Sequence, residues 1–150
     1  MKLDELLSPE VITFHLHHSE KFAVIEELLD LLVQTGKVRD RATALQDLIE
    51  REKYLSTGFE NGLAVPHAKT RAVDEMVMSF ALSREGIDFD SLDGKPTHFI
   101  FLLLSPQDVS GPHIQLLALI ARNFQKKEIV DKVYGVQTPE ELLSLFHDFK

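Results

Sequence analysis

Cysteine is absent from this chain of 150 residues. That absence excludes disulfides, thiolate zinc sites, iron–sulfur clusters and a cysteine nucleophile, and it suits a reducing compartment. Positive charge is scarce too: 16 Lys and Arg stand against 24 Asp and Glu, a formal net charge of -8. A groove tracking nucleic-acid backbone would work against the field of the whole molecule, so no DNA or RNA binder is expected. No apolar run approaches the roughly 20 residues that span a bilayer. The start, Met1-Lys2-Leu3-Asp4-Glu5, lacks the basic flank and apolar stretch of a signal peptide. The expected workplace is the cytoplasm, with no direct membrane insertion. Missing as well are a G-x-x-x-x-G-K-[ST] phosphate loop, a Gly-rich dinucleotide fingerprint, a G-x-S-x-G elbow and an H-E-x-x-H helix. ATP-driven transfer, hydride transfer and the commoner hydrolases thus lack their parts, and no cofactor is expected.

What is present is enough for one core. Apolar residues make up 44% of the chain, and residues 1–150 are expected to form a single domain. Alternation from Val11 to Leu16 predicts a strand with one buried face. Ser19 offers an N-cap for a helix carrying Phe22, Ile25, Leu28, Leu29 and Leu32 up to Gly36. A second helix starts at the Asp40 cap, buries Ala44, Leu45 and Leu48, and ends near Glu52. Leu63 to Val65 is extended, because Pro66 disfavours helix in the residue before it. Met76 to Ser83 and the unbroken apolar run Phe99 to Leu104 read as strands, the latter buried on both faces. Glu85-Gly86 and Asp93-Gly94 bracket a short edge strand over Ile87 to Phe89. Three helices complete the chain: one carrying Leu116, Leu117, Ile120 and Phe124 after Ser110-Gly111-Pro112, one carrying Ile129, Val130, Val133 and Tyr134, and a last one opened by Thr138, Pro139 and Glu141 as a capping box. The expected fold class is α/β or α+β, a mixed sheet with helices on both sides.

Seven histidines hold most of the chemistry on offer. His15 and His17 share a strand face and could pair on a metal ion, with His18 beside them. No third ligand is evident, and alternation already explains polar residues there, so no metal site is expected. His98 and His147 read as strand-end and surface residues. His67 differs in its setting: Gly58, Asn61 and Gly62 loosen the backbone upstream, and Pro66 stiffens the chain directly before the imidazole. If a backbone carbonyl takes one ring N–H, the other nitrogen is left free to attack an electrophile such as phosphorus. His113 sits at a helix start, where unpaired N–H groups and the dipole favour an anion. Arg51 is the nearest upstream cation able to fork onto phosphate oxygens. Spacing alone leaves two readings of this trio equally open, an anion-handling site or three unrelated polar residues.

The segment GFENGLAVPHAKT from Gly58 to Thr70, preceded by IEREK from Ile49 to Lys53, reaches further. With LSREGIDFDSLDGKPTHFIFLLLSP and GPHIQLLALIARNF downstream, it resembles the fructose/mannitol-type EIIA domain of the bacterial phosphoenolpyruvate-dependent sugar phosphotransferase system. The resemblance covers nearly the whole chain. It implies a mixed sheet flanked by helices on both sides, His67 as the phosphorylated histidine, and His113 and Arg51 as the groups supporting the phosphoryl. It implies HPr carrying its own phosphohistidine as donor, and as acceptor an EIIB domain, with the EIIC permease beyond it, both on separate polypeptides. Two positions depart from the family pattern. Glu60 stands where the loop usually carries glycine, and a carboxylate near a phosphohistidine would oppose the added negative charge. Ala68 follows the active histidine where glycine is common, a mild change if its φ is negative.

As implied by the resemblance, the work is alignment and charge stabilisation between similar nitrogens, with no ATP or Mg²⁺ site called for. Phe59, Leu63 and Val65 are candidates for an apolar docking surface around His67, with core the better reading for Val65. The acidic excess suits a partly basic donor face. A nitrogen-type regulatory EIIA, whose phosphorylation state controls binding to other proteins, is the alternative function. A third reading is a non-catalytic or metal-binding domain that keeps the fold and has lost phosphotransfer, with Glu60 as the sign of it.

Overall fold

A computed structural model describes residues 2–150. Five strands form one mixed sheet: β1 (Ile12–Thr13), β2 (Leu63–Ala64), β3 (His67–Lys69), β4 (Val77–Ile87) and β5 (Thr97–Ser105). Five helices accompany them: α1 (Lys21–Val33), α2 (Arg41–Tyr54), α3 (Gly111–Asn123), α4 (Lys127–Tyr134) and α5 (Pro139–His147). β5 is central, antiparallel to β4 on one side and parallel to β2 and β3 on the other, and β1 pairs parallel to the far edge of β4. Its unbroken apolar run fits that place, since Phe99 through Leu104 are all buried.

Helices cover both faces, and the alternation of side chains along a strand says which residues meet which. On one face Ser79 of β4 donates to the carbonyl of Leu28 in α1 at 2.9 Å. On the other, Phe80 packs edge-on against Phe101 and against Phe146 of α5, Phe101 meets Phe146 at a tilt, and Phe101 also meets Phe124 edge-on at the end of α3. Each such aromatic pair adds about 0.5–1.5 kcal/mol beyond the area it buries. The caps that end the helices are local. Asp40 accepts from the Thr43 backbone N–H at 3.1 Å, and Thr138 from that of Glu141 at 3.1 Å.

Several segments differ from their sequence patterns. The expected strand over Val11 to Leu16 shrinks to Ile12–Thr13, because later N–H groups go to side chains instead of a ladder. The His15 N–H is taken by the Thr13 hydroxyl at 3.1 Å and that of His17 by the Glu27 carboxylate at 2.9 Å. Glu20, not Ser19, caps α1, accepting from Ala23 at 2.9 Å. α2 runs on past Glu52 to Tyr54, its last turn holding Arg51 and Lys53 against the negative end of the helix, and Leu45 is only half-buried. The expected edge strand over Ile87 to Phe89 does not exist as such. Ile87 ends β4 and pairs with Thr97 after a register shift, Gly86 takes φ +91° within that irregularity, and Phe89 is fully buried.

Candidate active site

β2 and β3 lie along β5 in one register: Leu63 faces Phe99 and His67 faces Leu103 with the same offset. Pro66 breaks the pairing between them because it has no N–H to give. The Val65 N–H turns away to the Thr57 carbonyl at 3.1 Å, while the Pro66 carbonyl still accepts from Leu103 at 3.0 Å. That break sets the imidazole of His67 at the head of β3. Its Nδ1 stands 2.7 Å from the Val65 carbonyl. A carbonyl only accepts, so Nδ1 carries the proton and Nε2 keeps its lone pair.

Lys69 lies two residues on and shares a sheet face with His67. It is the register partner of Ser105, the last residue of β5. α3 begins a few residues later and lowers His113 onto that face. His113 is buried, its Nδ1 2.6 Å from the Ser105 hydroxyl oxygen. The two imidazoles meet with ring centroids 5.4 Å apart and planes at 60°. The Lys69 ammonium donates to the Ser110 hydroxyl at 2.5 Å, at the entrance to α3.

Arg51 is half-buried in the last turn of α2 and donates to the Leu55 carbonyl at 2.8 Å. Its charge reaches His67. Burial is the main force pushing the His67 imidazole below its ordinary value and Arg51 adds to it, against the Val65 carbonyl and Glu52. Burial likewise drives His113 down to about 4, helped by the charges of His67 and Lys69. His113 is therefore neutral at pH 7 and donates or accepts through each nitrogen as one tautomer. The site joins a nucleophilic nitrogen, a neutral imidazole, and two cations within electrostatic reach, an arrangement suited to a tetrahedral dianion.

Beneath it lies a buried ion pair. Glu52, next to Arg51 and 3% exposed, sits 2.8 Å from the Lys21 ammonium and accepts from both the N–H and the hydroxyl of Thr57 at 2.8 and 2.6 Å. Lys21 also reaches Asp90 at 3.3 Å. These bonds tie the start of α1 and the last turn of α2 to the segment between β2 and β3, where the Val65 N–H rests on the Thr57 carbonyl. Lys21, Glu52, Lys69 and Ser105 join the site only in the folded chain and are not among the residues its motifs mark. The i, i+2 spacing of His67 and Lys69 was a usable signal; nothing local marks Ser105 or the Lys21–Glu52 pair.

The loop before His67 is tighter than its glycines indicate. Glu60-Asn61-Gly62-Leu63 closes a turn through the Leu63 N–H and Glu60 carbonyl at 3.3 Å, with φ of +61° at Asn61 and +78° at Gly62. The Asn61 amide anchors it to the Phe124 carbonyl at 3.0 Å. Glu60 is exposed at that turn and lines a hollow with Phe59, Asn61, Leu92 and Gln125 that none of His67, His113 and Arg51 lines. Ala68 is buried in β3 with negative φ, so its methyl carries no backbone strain. Leu63 and Val65 are 2% and 1% exposed and belong to the core, so neither serves a docking surface; Phe59 is exposed. Leu55 and Ile114, flanking the site's arginine and second histidine, are each 63% exposed. His15, His17 and His18 line a separate hollow of about 470 Å³ with Arg84 and Glu85, and His18 is paired with Glu27 at 2.9 Å. Among the described residues no group of three or more His, Asp or Glu is arranged to hold a metal ion, and no helix is long and apolar enough to cross a membrane.

A sheet carrying this histidine pair under a helix start defines the class. The model of the family "Phosphoenolpyruvate-dependent sugar phosphotransferase system, EIIA 2" matches residues 5–148, and the chain belongs to that family. It is 38% identical over 131 residues to a protein from Haloferax volcanii named PTS system fructose-specific EIIA component, covering 87% of this chain and 85% of that one. It is 30% identical over 98% of its length to the fructose-specific EIIABC component of Bacillus subtilis, of which it spans 23%. Among solved structures, the nitrogen regulatory protein IIA-Ntr of Neisseria meningitidis superposes with a TM-score of 0.89 at 31% identity, covering 96% of this chain and 98% of that one. The mixed sheet flanked by helices expected from the sequence is the fold found.

Proposed function

We propose that this chain is a phosphocarrier that takes a phosphoryl group from phosphorylated HPr onto Nε2 of His67 and passes it to a separate EIIB, on the way to sugar uptake through an EIIC permease. The observation that carries this reading is the 2.7 Å bond from His67 Nδ1 to the Val65 carbonyl, which leaves Nε2 as the free nucleophile. In the transfer the His67 Nε2–P bond forms as the donor's N–P bond breaks, and the donor imidazole leaves with the electron pair. The His67 ring then carries a positive charge, which strengthens its Nδ1–H bond to Val65. Nitrogen replaces nitrogen, so the step is close to balanced and reversible. His113 donates a hydrogen bond to the phosphoryl oxygens, and Arg51 is the countercharge. Leu55 and Ile114, apolar and exposed beside the site, supply the surface on which partners dock and leave in turn.

The test is incubation with phosphoenolpyruvate, enzyme I and HPr, reading intact mass. One acid-labile phosphate is expected on the wild type and none on His67→Ala. His113→Ala should slow the gain without abolishing it; equal loss in both variants, with the fold intact, would contradict this division of roles.

A second reading is a nitrogen-type regulatory EIIA. It is favoured by the IIA-Ntr neighbour and by the nitrogen regulatory protein of Pseudomonas aeruginosa, 29% identical over 99% of this chain and 96% of that one. Onward transfer to a purified EIIB supports the uptake role. A phosphorylated chain that no EIIB discharges, and that binds another protein in one phosphorylation state only, supports the regulatory one.

A further inference from the structure

His67 and His113 each hold one bond through Nδ1, but to atoms of different kinds. The partner of His67 is a carbonyl, which dictates the tautomer. The partner of His113 is the hydroxyl of Ser105, which can give or take. Burial decides between the two. Ser105 is 0% exposed and His113 6%, and among the described residues the Ser105 Oγ has no hydrogen-bond partner other than His113 Nδ1 at 2.6 Å. Were Nδ1 protonated, it would donate to Oγ, and the hydroxyl's own proton would be buried with no acceptor, an outcome that costs the full desolvation of the group. With the hydroxyl donating, both atoms are satisfied. Nδ1 then accepts and the ring proton resides on Nε2.

Ser105 is itself held in place. It ends β5 opposite Lys69, and its carbonyl accepts the Thr70 N–H at 2.8 Å. Its Oγ therefore meets the imidazole from a fixed point on the sheet. We propose that Ser105 is a positioning residue for phosphoryl transfer, its hydroxyl holding His113 in the tautomer that presents an N–H, not a lone pair, to the phosphoryl group on His67. The two rings become complementary: His67 offers a lone pair at Nε2 to phosphorus and His113 a proton at Nε2 to its oxygens. The opposite tautomer would set a lone pair against anionic oxygens. That His113 is neutral at pH 7 agrees with this, since a cation would donate from both nitrogens without help. The proposal rests on His113 acting as a donor in the function proposed above.

Two measurements test it. In ¹⁵N-labelled protein near neutral pH, the His113 ring should show an unprotonated Nδ1 and a protonated Nε2, and Ser105→Ala should mix the two forms. With phospho-HPr, Ser105→Ala should slow His67 phosphorylation by about threefold to tenfold, the rate equivalent of one hydrogen bond. A Gln at position 113 carries an amide N–H₂ that needs no help from Ser105. In the His113→Gln background, Ser105→Ala should therefore add no further loss. A protonated Nδ1 in the wild type, or an equal slowing by Ser105→Ala in both backgrounds, overturns the proposal. If the wild type accepts no phosphoryl group at all, the phosphocarrier reading falls, and the positioning role for transfer falls with it. The nitrogen spectrum would still report whether the hydroxyl sets the ring.

Discussion

Taking the protein from about pH 7.5 to about pH 4.5 puts a proton on His113 in nearly every unfolded chain but in only a minority of folded ones. The ordinary imidazole value of 6.5 falls to about 4 in the fold, chiefly through burial and then through the charges of His67 and Lys69. Between these values the unfolded state binds more protons, so stability rises with pH and is lost as pH falls below about 6.5. For His113 alone the loss at pH 4.5 is about 2–3 kcal/mol, a large part of a domain stability of about 5–15 kcal/mol. Urea unfolding followed by far-UV circular dichroism, at both pH values, for wild type and His113→Gln, isolates this contribution. His67, whose value is lowered too, and the carboxylates titrate in both proteins, so the difference between them reports His113 together with its coupling to His67. With an m-value of about 2 kcal/mol/M, the wild-type midpoint should fall further than that of the variant by about 1 M. Equal falls in the two proteins would refute the reasoning and mean that His113 is not held neutral by its burial.

Removing the charge at Glu52 should unsettle the floor of the site. Glu52→Gln leaves the Lys21 ammonium with the largely exposed Asp90 as its remaining carboxylate partner and is expected to cost about 3 kcal/mol in urea unfolding; adding Lys21→Met should restore more than half, and no recovery would contradict a buried-pair origin. Arg51→Ala should slow phosphorylation of His67 by about tenfold or more, the loss of a charge-assisted bond to phosphate, while the thermal midpoint stays near that of the wild type. Unchanged rates in rapid-quench experiments would remove Arg51 from the site. Gly62→Ala must hold a methyl group at φ +78° and 3.2 Å from the His98 ring, and should lower stability by about 1–2 kcal/mol by calorimetry. An unaltered midpoint would mean that the turn can relax.

The parts of this protein legible in its sequence are those governed by neighbours along the chain. Asp40 and Thr138 cap their helices because the N–H groups they satisfy lie three residues on. The apolar run Phe99 to Leu104 had to lie in the middle of a sheet, since no edge would bury both its faces. Pro66-His67 is local too: the imidazole of His67 is oriented by a carbonyl two residues back. Tertiary structure decided what depends on distant partners. The strand expected through Leu16 stops at Thr13 because Glu27, ten residues beyond His17, takes that N–H. The expected edge strand at Ile87 became the end of β4 because Thr97 pairs with it across a bulge, and Leu63 left the candidate surface when β5 and the helices closed over it. Ser105 and His113, eight residues apart, read alone as a strand end and a helix start. Only the register of β5 against β3 and the landing of α3 put the hydroxyl on the imidazole and the imidazole against His67. Composition and motif sufficed to single out His67 as the candidate nucleophile, whereas the protons and charges around it are set by burial and by contacts that only the folded chain makes.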